Sequence, residues 1–133
     1  MQYLYQLIRK NPFSTAFIVI IWYLSFFTPP HTKLSSISFF DKWAHIAMYT
    51  GTCSVIWIEY LTRHKERINR KRLFIMAWLA PVIMSGAIEL LQEYCTNGRR
   101  SGDWLDFAAN IAGVTIAAVF GWIVHINRTK YLK

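Results

Sequence analysis

The chain has 133 residues, 54% hydrophobic and 17% aromatic, and a formal net charge of +8. That length suits one domain, and its apolar share exceeds what the interior of a soluble domain of this size would hold. The positive balance alone would fit nucleic acid, but apolar runs offer another source for it, since membrane proteins gather Lys and Arg on one side of the bilayer.

Four segments approach the ~20 residues that a ~30 Å hydrocarbon core requires. They are roughly 12–28, 42–61, 73–95 and 104–126. The expectation is an all-α membrane protein, a single domain over residues 1–133, built as a four-helix bundle. The first segment is the shortest. Asn11-Pro12 predicts its start, with Asn as the cap and Pro at the first helical position, and Thr28-Pro29-Pro30 ends it. Arg9 and Lys10 before an apolar run imitate a signal peptide. No small-residue cleavage site follows "FIVIIWYLSFF", so the segment is expected to be retained.

The second segment carries Asp41, His45, Tyr49 and Thr52 at spacings of four, four and three. Such spacings share one helical face. Cys53 falls in mid-span and Cys95 at an end of the third segment, too far apart in depth for a disulfide. The run "RHKERINRKR" follows, with six Lys and Arg. No groove-reading or aromatic-interleaved motif accompanies it, so it is an orientation signal and no nucleic-acid partner is expected.

The third segment repeats the pattern with Ser85, Glu89 and Gln92, and Glu93 lies beside them. Pro81 should kink this helix and free a backbone carbonyl. In "TNGRRSGD", Asn97-Gly98 predicts a turn, and Ser101 or Asp103 caps the helix that follows. Arg99 and Arg100 beside a helix amino terminus could seat a phosphate or carboxylate, or could neutralise Asp103, Asp106 and Glu93.

The fourth segment carries Asp103, Asp106, Asn110 and Gly113 on one face. Ala109, Gly113, Ala117 and Gly121 recur every four residues, a stripe that lets another helix approach closely. Ser85-Gly86-Ala87 is a candidate counterpart.

Eleven of the fifteen Lys and Arg fall at the two termini and in the 63–72 loop. The positive-inside rule then puts both termini and that loop in the cytosol. Five of the seven acids, Asp41, Glu89, Glu93, Asp103 and Asp106, fall at the opposite end. At ~1.5 Å rise per residue, His45, Glu89, Asp106 and Asn110 reach one level just below the outer interface. Ionisable groups at such depth are expected to face the bundle interior and to pair.

These residues have a familiar pattern. "FDKWAHIAMY" gives D-K-x-x-H-x-x-x-Y; "ELLQ" and "GRRSGDWLDFAANIAG" give E-x-x-Q and R-x-x-x-x-x-D-x-x-x-N-x-x-G. The chain from about Phe40 to Gly121 resembles the VanZ-like family of small bacterial membrane proteins, named after an accessory protein linked to teicoplanin resistance. By position, Asp41, Lys42, His45, Tyr49, Glu89, Gln92, Arg100, Asp106, Asn110 and Gly113 match the family's signature. Arg99 and Glu93 lie outside it. The resemblance implies a role in the cell envelope and residence in the cytoplasmic (inner) membrane, with the polar site facing away from the cytosol. It names no reaction.

Several functions fit the residues. One is an enzyme acting on an anionic lipid or lipid-linked envelope precursor. His45, held by Asp41, and Glu89 would carry protons, with Asp106 beside them. Arg100 would hold the head group and Asn110 would orient a partner; Gln92, Tyr49 and Lys42 complete the binding set. Ser85 is the best-placed candidate nucleophile. A second function is a non-catalytic binder of lipid, glycopeptide-like ligand or partner protein, changing antibiotic access. A third is a divalent-metal site at His45, Asp41, Glu89 and Asp106, although the spacing fits no recognised metal motif and no other cofactor is expected. A fourth is a polar cluster that only ties helices together. Proton-coupled transport is disfavoured by the lack of an inverted repeat, unless the chain forms a homo-oligomer.

Overall fold

The computed structural model describes residues 1–27 and 39–131. Thr28-Pro29-Pro30, Lys33 and Lys133 lie outside them. The described residues form helices and no strand: α1 (Gln2–Lys10), α2 (Pro12–Phe26), α3 (Phe40–Arg63), α4 (Arg70–Phe74), a π-helical turn (Ile75–Leu79), α5 (Ala80–Cys95) and α6 (Trp104–Tyr131). From α4 to α5 the chain runs as one helical rod, Arg70–Cys95. That rod and α6 are long and apolar enough to cross a membrane; α2 is a shorter apolar helix.

Helix α1 was not anticipated. Its end explains a correction at Asn11. The Asn11 amide does not cap α2; its Nδ2 donates back to the Leu7 carbonyl at 2.9 Å and closes α1. The free N–H groups of α2 are met instead by Glu59 of α3, which accepts from Phe13 N at 3.1 Å, from Ser14 N at 2.9 Å and from the Ser14 hydroxyl. A carboxylate on the positive end of a helix is electrostatically favoured.

Such links fix the helix directions. Glu59 ties the start of α2 to the last turns of α3. Gln92 Nε2 donates to the Ser25 carbonyl at 2.7 Å, joining the end of α2 to the end of α5. Lys42 joins the start of α3 to the start of α6, and Arg128 donates to the Leu61 carbonyl at 2.6 Å where both finish. So α3 and α6 run parallel, α2 and the α4–α5 rod run the other way, and one end of the assembly collects Ser25, Lys42, Gln92 and Asp103.

The small-residue stripe of α6 packs, but not on the expected partner. Ala109, Gly113, Ala117 and Gly121 are buried. A Cβ at Gly113 would lie 2.7 Å from the Ile46 carbonyl oxygen, and one at Gly121 would overlap the Trp57 indole. The stripe therefore seats on α3, whose Ile46 carbonyl, Thr50 and Trp57 need that closeness. Gly86, on the proposed counterpart, faces the Phe107 ring instead.

Pro81 is accommodated by a specific device. It lacks an N–H and would clash with the carbonyl four residues earlier, that of Ala77. The π-helical turn just before it widens the helix, with Ala80 N bonded to the Ile75 carbonyl five residues back. Cys53 is buried, Cys95 is exposed and both are free thiols.

The interior holds two apolar clusters, one around Tyr49, Ile88 and Val114 and one around Trp57, Leu61 and Leu73, with buried polar groups besides. Ser85, Gln92, Asn110 and Thr52 are buried, as are His45, Glu89 and Asp106. Outward-facing residues include Ile83, Leu90, Ile116, Val119, Phe120 and Ile123.

Candidate functional site

The site forms where α3 and α6 begin and α5 ends. Residues four apart on α3 put Asp41, His45 and Tyr49 on one face, and Asp106 and Asn110 do the same on α6. The parallel run of these two helices then sets His45 opposite Asn110. His45 Nδ1 lies 2.9 Å from Asn110 Oδ1, and Asn110 Nδ2 donates to Ser85 Oγ at 2.8 Å. One amide thus connects α3, α5 and α6. With Nδ1–H donating to Asn110, the free nitrogen of His45 is Nε2. It lies 3.9 Å from Asp41 and 3.8 Å from Asp106. Asp41 is exposed, so the nearer hold on His45 comes from Asn110 rather than from Asp41, as the sequence suggested.

Lys42 is the cation at the centre. Its ammonium bonds Asp103 Oδ2 at 2.8 Å and also Asp106, and lies 3.9 Å from Asp41. Sequence reasoning offered this neutralising task to Arg99 and Arg100 as one of two alternatives, the other being an anion seat. Among the described residues, neither arginine makes an ion pair. Arg99 Nε donates to the Thr96 carbonyl at 3.3 Å, and the backbone N–H of Arg100 donates to Thr96 Oγ1 at 3.0 Å. The predicted turn is present, with Asn97 and Gly98 both at positive φ and Arg99 N bonded to the Thr96 carbonyl. Buried Thr96, which holds it together, was missed.

The amino terminus of α6 is not an open anion seat. Asp103 caps it through Leu105 N at 2.9 Å. Asp103 N donates to Glu89 Oε2 at 3.0 Å and Gly102 N to Glu93 Oε2 at 2.9 Å. Carboxylates of the chain itself take the donors that a phosphate would need. The Lys42 ammonium, and then the Leu105 N–H, hold the Asp103 carboxyl below the usual carboxylate range.

Glu89 is 8% exposed, and its second oxygen, Oε1, is buried without a hydrogen-bond partner among the described residues. The Tyr49 hydroxyl is in the same condition. Gln92 points away from the cluster, to α2. Asp41, His45 and Asp106 offer donor atoms within 4.8 Å of one another, a grouping that could hold a divalent ion. Lys42 already places a positive charge on Asp106, so a metal would have to displace an ammonium. Glu89, the fourth expected ligand, is not in that group.

The sequence-predicted residues thus divide. His45, Asn110, Asp106, Lys42 and Asp41 come together, with Glu89 joined through Asp103. Tyr49 is buried below, while Gln92 and Arg100 serve neighbouring contacts. No protein-family model matches the chain, and neither the curated proteins nor the solved structures searched contain a match.

Proposed function

We propose that the chain is a VanZ-like, four-span protein of the bacterial cytoplasmic membrane, both termini cytosolic, whose outer-end pocket binds a phosphate-bearing, anionic lipid or lipid-linked envelope precursor and acts on it by acid/base chemistry. The observation that carries this reading is a polar cluster buried at one end of the bundle. An imidazole, an amide and two carboxylates from three helices are buried there, in an assembly that exposes many large apolar side chains. Ionisable groups at that depth are costly to keep, so they mark function by default. Basic residues crowd the opposite end and exposed Trp43, Tyr94 and Trp104 ring this one, the pattern of a membrane interface.

In this reading His45 Nε2 takes a proton from a ligand hydroxyl, and Asn110 fixes the ring so that Nε2 faces Asp41 and Asp106. These carboxylates stabilise the charged ring that results. Glu89 Oε1 exchanges the second proton with the ligand donor that reaches it. Arg100, on the loop above and without an ion-pair partner among the described residues, is the group left for the phosphate. Lys42 keeps the adjoining carboxylates from repelling one another.

The test uses purified protein in detergent and native mass spectrometry. Wild-type chain should carry lipid that His45→Ala and Glu89→Gln lose while both still accumulate as folded protein, and incubation with a bacterial lipid extract should alter one lipid class only with the wild type. Retained lipid without turnover would leave a binder, the reading in which a teicoplanin-type glycopeptide response follows from occupancy. The Asn110 bridge and the Gln92–Ser25 bond favour a purely packing role instead if both variants fail to accumulate.

A further inference from the structure

Between α5 and α6, beside the buried cluster, runs a groove of about 460 Å³. It is predominantly apolar, with Leu90 and Phe107 on its walls and Tyr94 and Trp104 at its rim. Its depth depends on Gly86, because a Cβ there would come within 3.3 Å of the Phe107 ring. Tyr94 is 77% exposed and Trp104 is 82% exposed, so the rim opens sideways, outward from the bundle.

The polar side of the groove carries one sign of charge. Glu89, Glu93 and Asp103 line it, and among the described residues no Lys or Arg does. Most of these oxygens are engaged. Glu93 holds Gly102 N, Asp103 holds Leu105 N and the Lys42 ammonium, and Glu89 Oε2 holds Asp103 N. Two remain: Glu93 Oε1, on an exposed residue, and Glu89 Oε1, which is buried without a donor among the described residues. A buried acceptor left unmatched costs free energy, and a donor that arrives with a ligand recovers it. A cationic donor gains more than a neutral one at a carboxylate.

Resting on the membrane placement given above, we propose that this groove admits a bilayer phospholipid from the side, with an acyl chain between Leu90 and Phe107 and a head-group ammonium on Glu89 Oε1. The aromatic rim marks the level at which head groups lie. Such a lipid is zwitterionic: its phosphate is the anionic group assigned to the pocket, and its ammonium is the added specificity that the anionic glycerol phospholipid lacks.

The experiment places wild-type protein in nanodiscs of mixed ethanolamine and glycerol phospholipids, with a diazirine on the acyl chain of one or the other as the probe. Adducts are mapped by peptide mass spectrometry. The ethanolamine probe should label Leu90, Tyr94 and Phe107 at least fivefold above Ile116, Val119 and Phe120, which are also apolar and exposed. It should also exceed the glycerol probe severalfold there. Glu89→Gln should bring the two probes level, and Leu90→Trp should clear the groove of label. Equal labelling of the two faces, or equal labelling by the two probes in the wild type, overturns the proposal without any variant needing to fold. Failure of the membrane placement shows separately, as chain released from native membranes by an alkaline carbonate wash.

Discussion

His45 Nδ1 and Asn110 Oδ1 are 2.9 Å apart although 65 residues separate them in the chain. This contact fixes the relative register of α3 and α6 and the direction of the imidazole. Asn110→Ala leaves both the His45 Nδ1–H and the Ser85 hydroxyl without their partner. Losing a buried partner costs about 1–3 kcal/mol, more than the ~0.6 typical of one interhelical hydrogen bond in a membrane. Ser85→Ala removes one of the two bonds and should cost less. Because the pair shares that bond, the double variant should be less destabilised than the sum of the singles, as measured by detergent-phase unfolding.

Gly113 and Gly51 make a matched comparison on the packed helix pair. A Cβ at 113 meets the Ile46 backbone, which has no side-chain freedom to yield, whereas one at 51 meets nothing within 4 Å. Gly113→Ala should destabilise by about 1–3 kcal/mol, as overpacking does. Gly51→Ala should stabilise by roughly 0.5–1 kcal/mol through the helix propensity of Ala. Thermal unfolding of both variants checks the signs.

The Asp103 carboxyl is held low by Lys42 and by the Leu105 N–H. A carboxyl whose folded pKa is depressed adds stability that is present above the unfolded value, ~3.9, and lost as pH falls through the folded one. Wild type should therefore outlast Asp103→Asn by a constant margin near neutral pH, and the margin should close in strong acid. Half-exposure of this side chain keeps the margin small. Melting temperatures of the two proteins across pH give the measurement.

The native cysteines report the orientation. Cys95 is exposed at the end that carries the polar cluster, and Cys53 is buried. A membrane-impermeant maleimide should modify Cys95 in intact cells and leave Cys53 untouched until the protein is denatured. Cys95 reacting only after permeabilisation would invert the proposed topology.

The legible part of this molecule follows from short-range periodicity. Four-residue spacing put Asp41 with His45, and Asp106 with Asn110, on single faces, and the apolar lengths located α2, α3, the α4–α5 rod and α6 within a few residues. Long-range choices were not written that way. Nothing local says that the α2 amino terminus is capped by Glu59, 45 residues downstream, rather than by the adjacent Asn11. Lys42 was placed in the ligand-binding set and not among the acids, because only the start of α6 against α3 shows which acids it meets. The Arg99–Arg100 pair misled for a related reason. Helix-start donors are available to a ligand only if no side chain reaches them first, and Glu89 and Glu93 reach them from α5. The stripe of Gly113 and Gly121 announced close packing but not its partner, since α3 and α5 both offered small residues.

The most direct measurement of the central claim is a high-resolution structure of the protein in a lipid nanodisc. The expected result is head-group density at the outer leaflet, within hydrogen-bond distance of Glu89 Oε1 and beside His45 Nε2, with Asn110 still bridging to Ser85. Imidazole and carboxylates that face the acyl tails, or head-group density confined to the basic end near Arg63–Arg72, would contradict it.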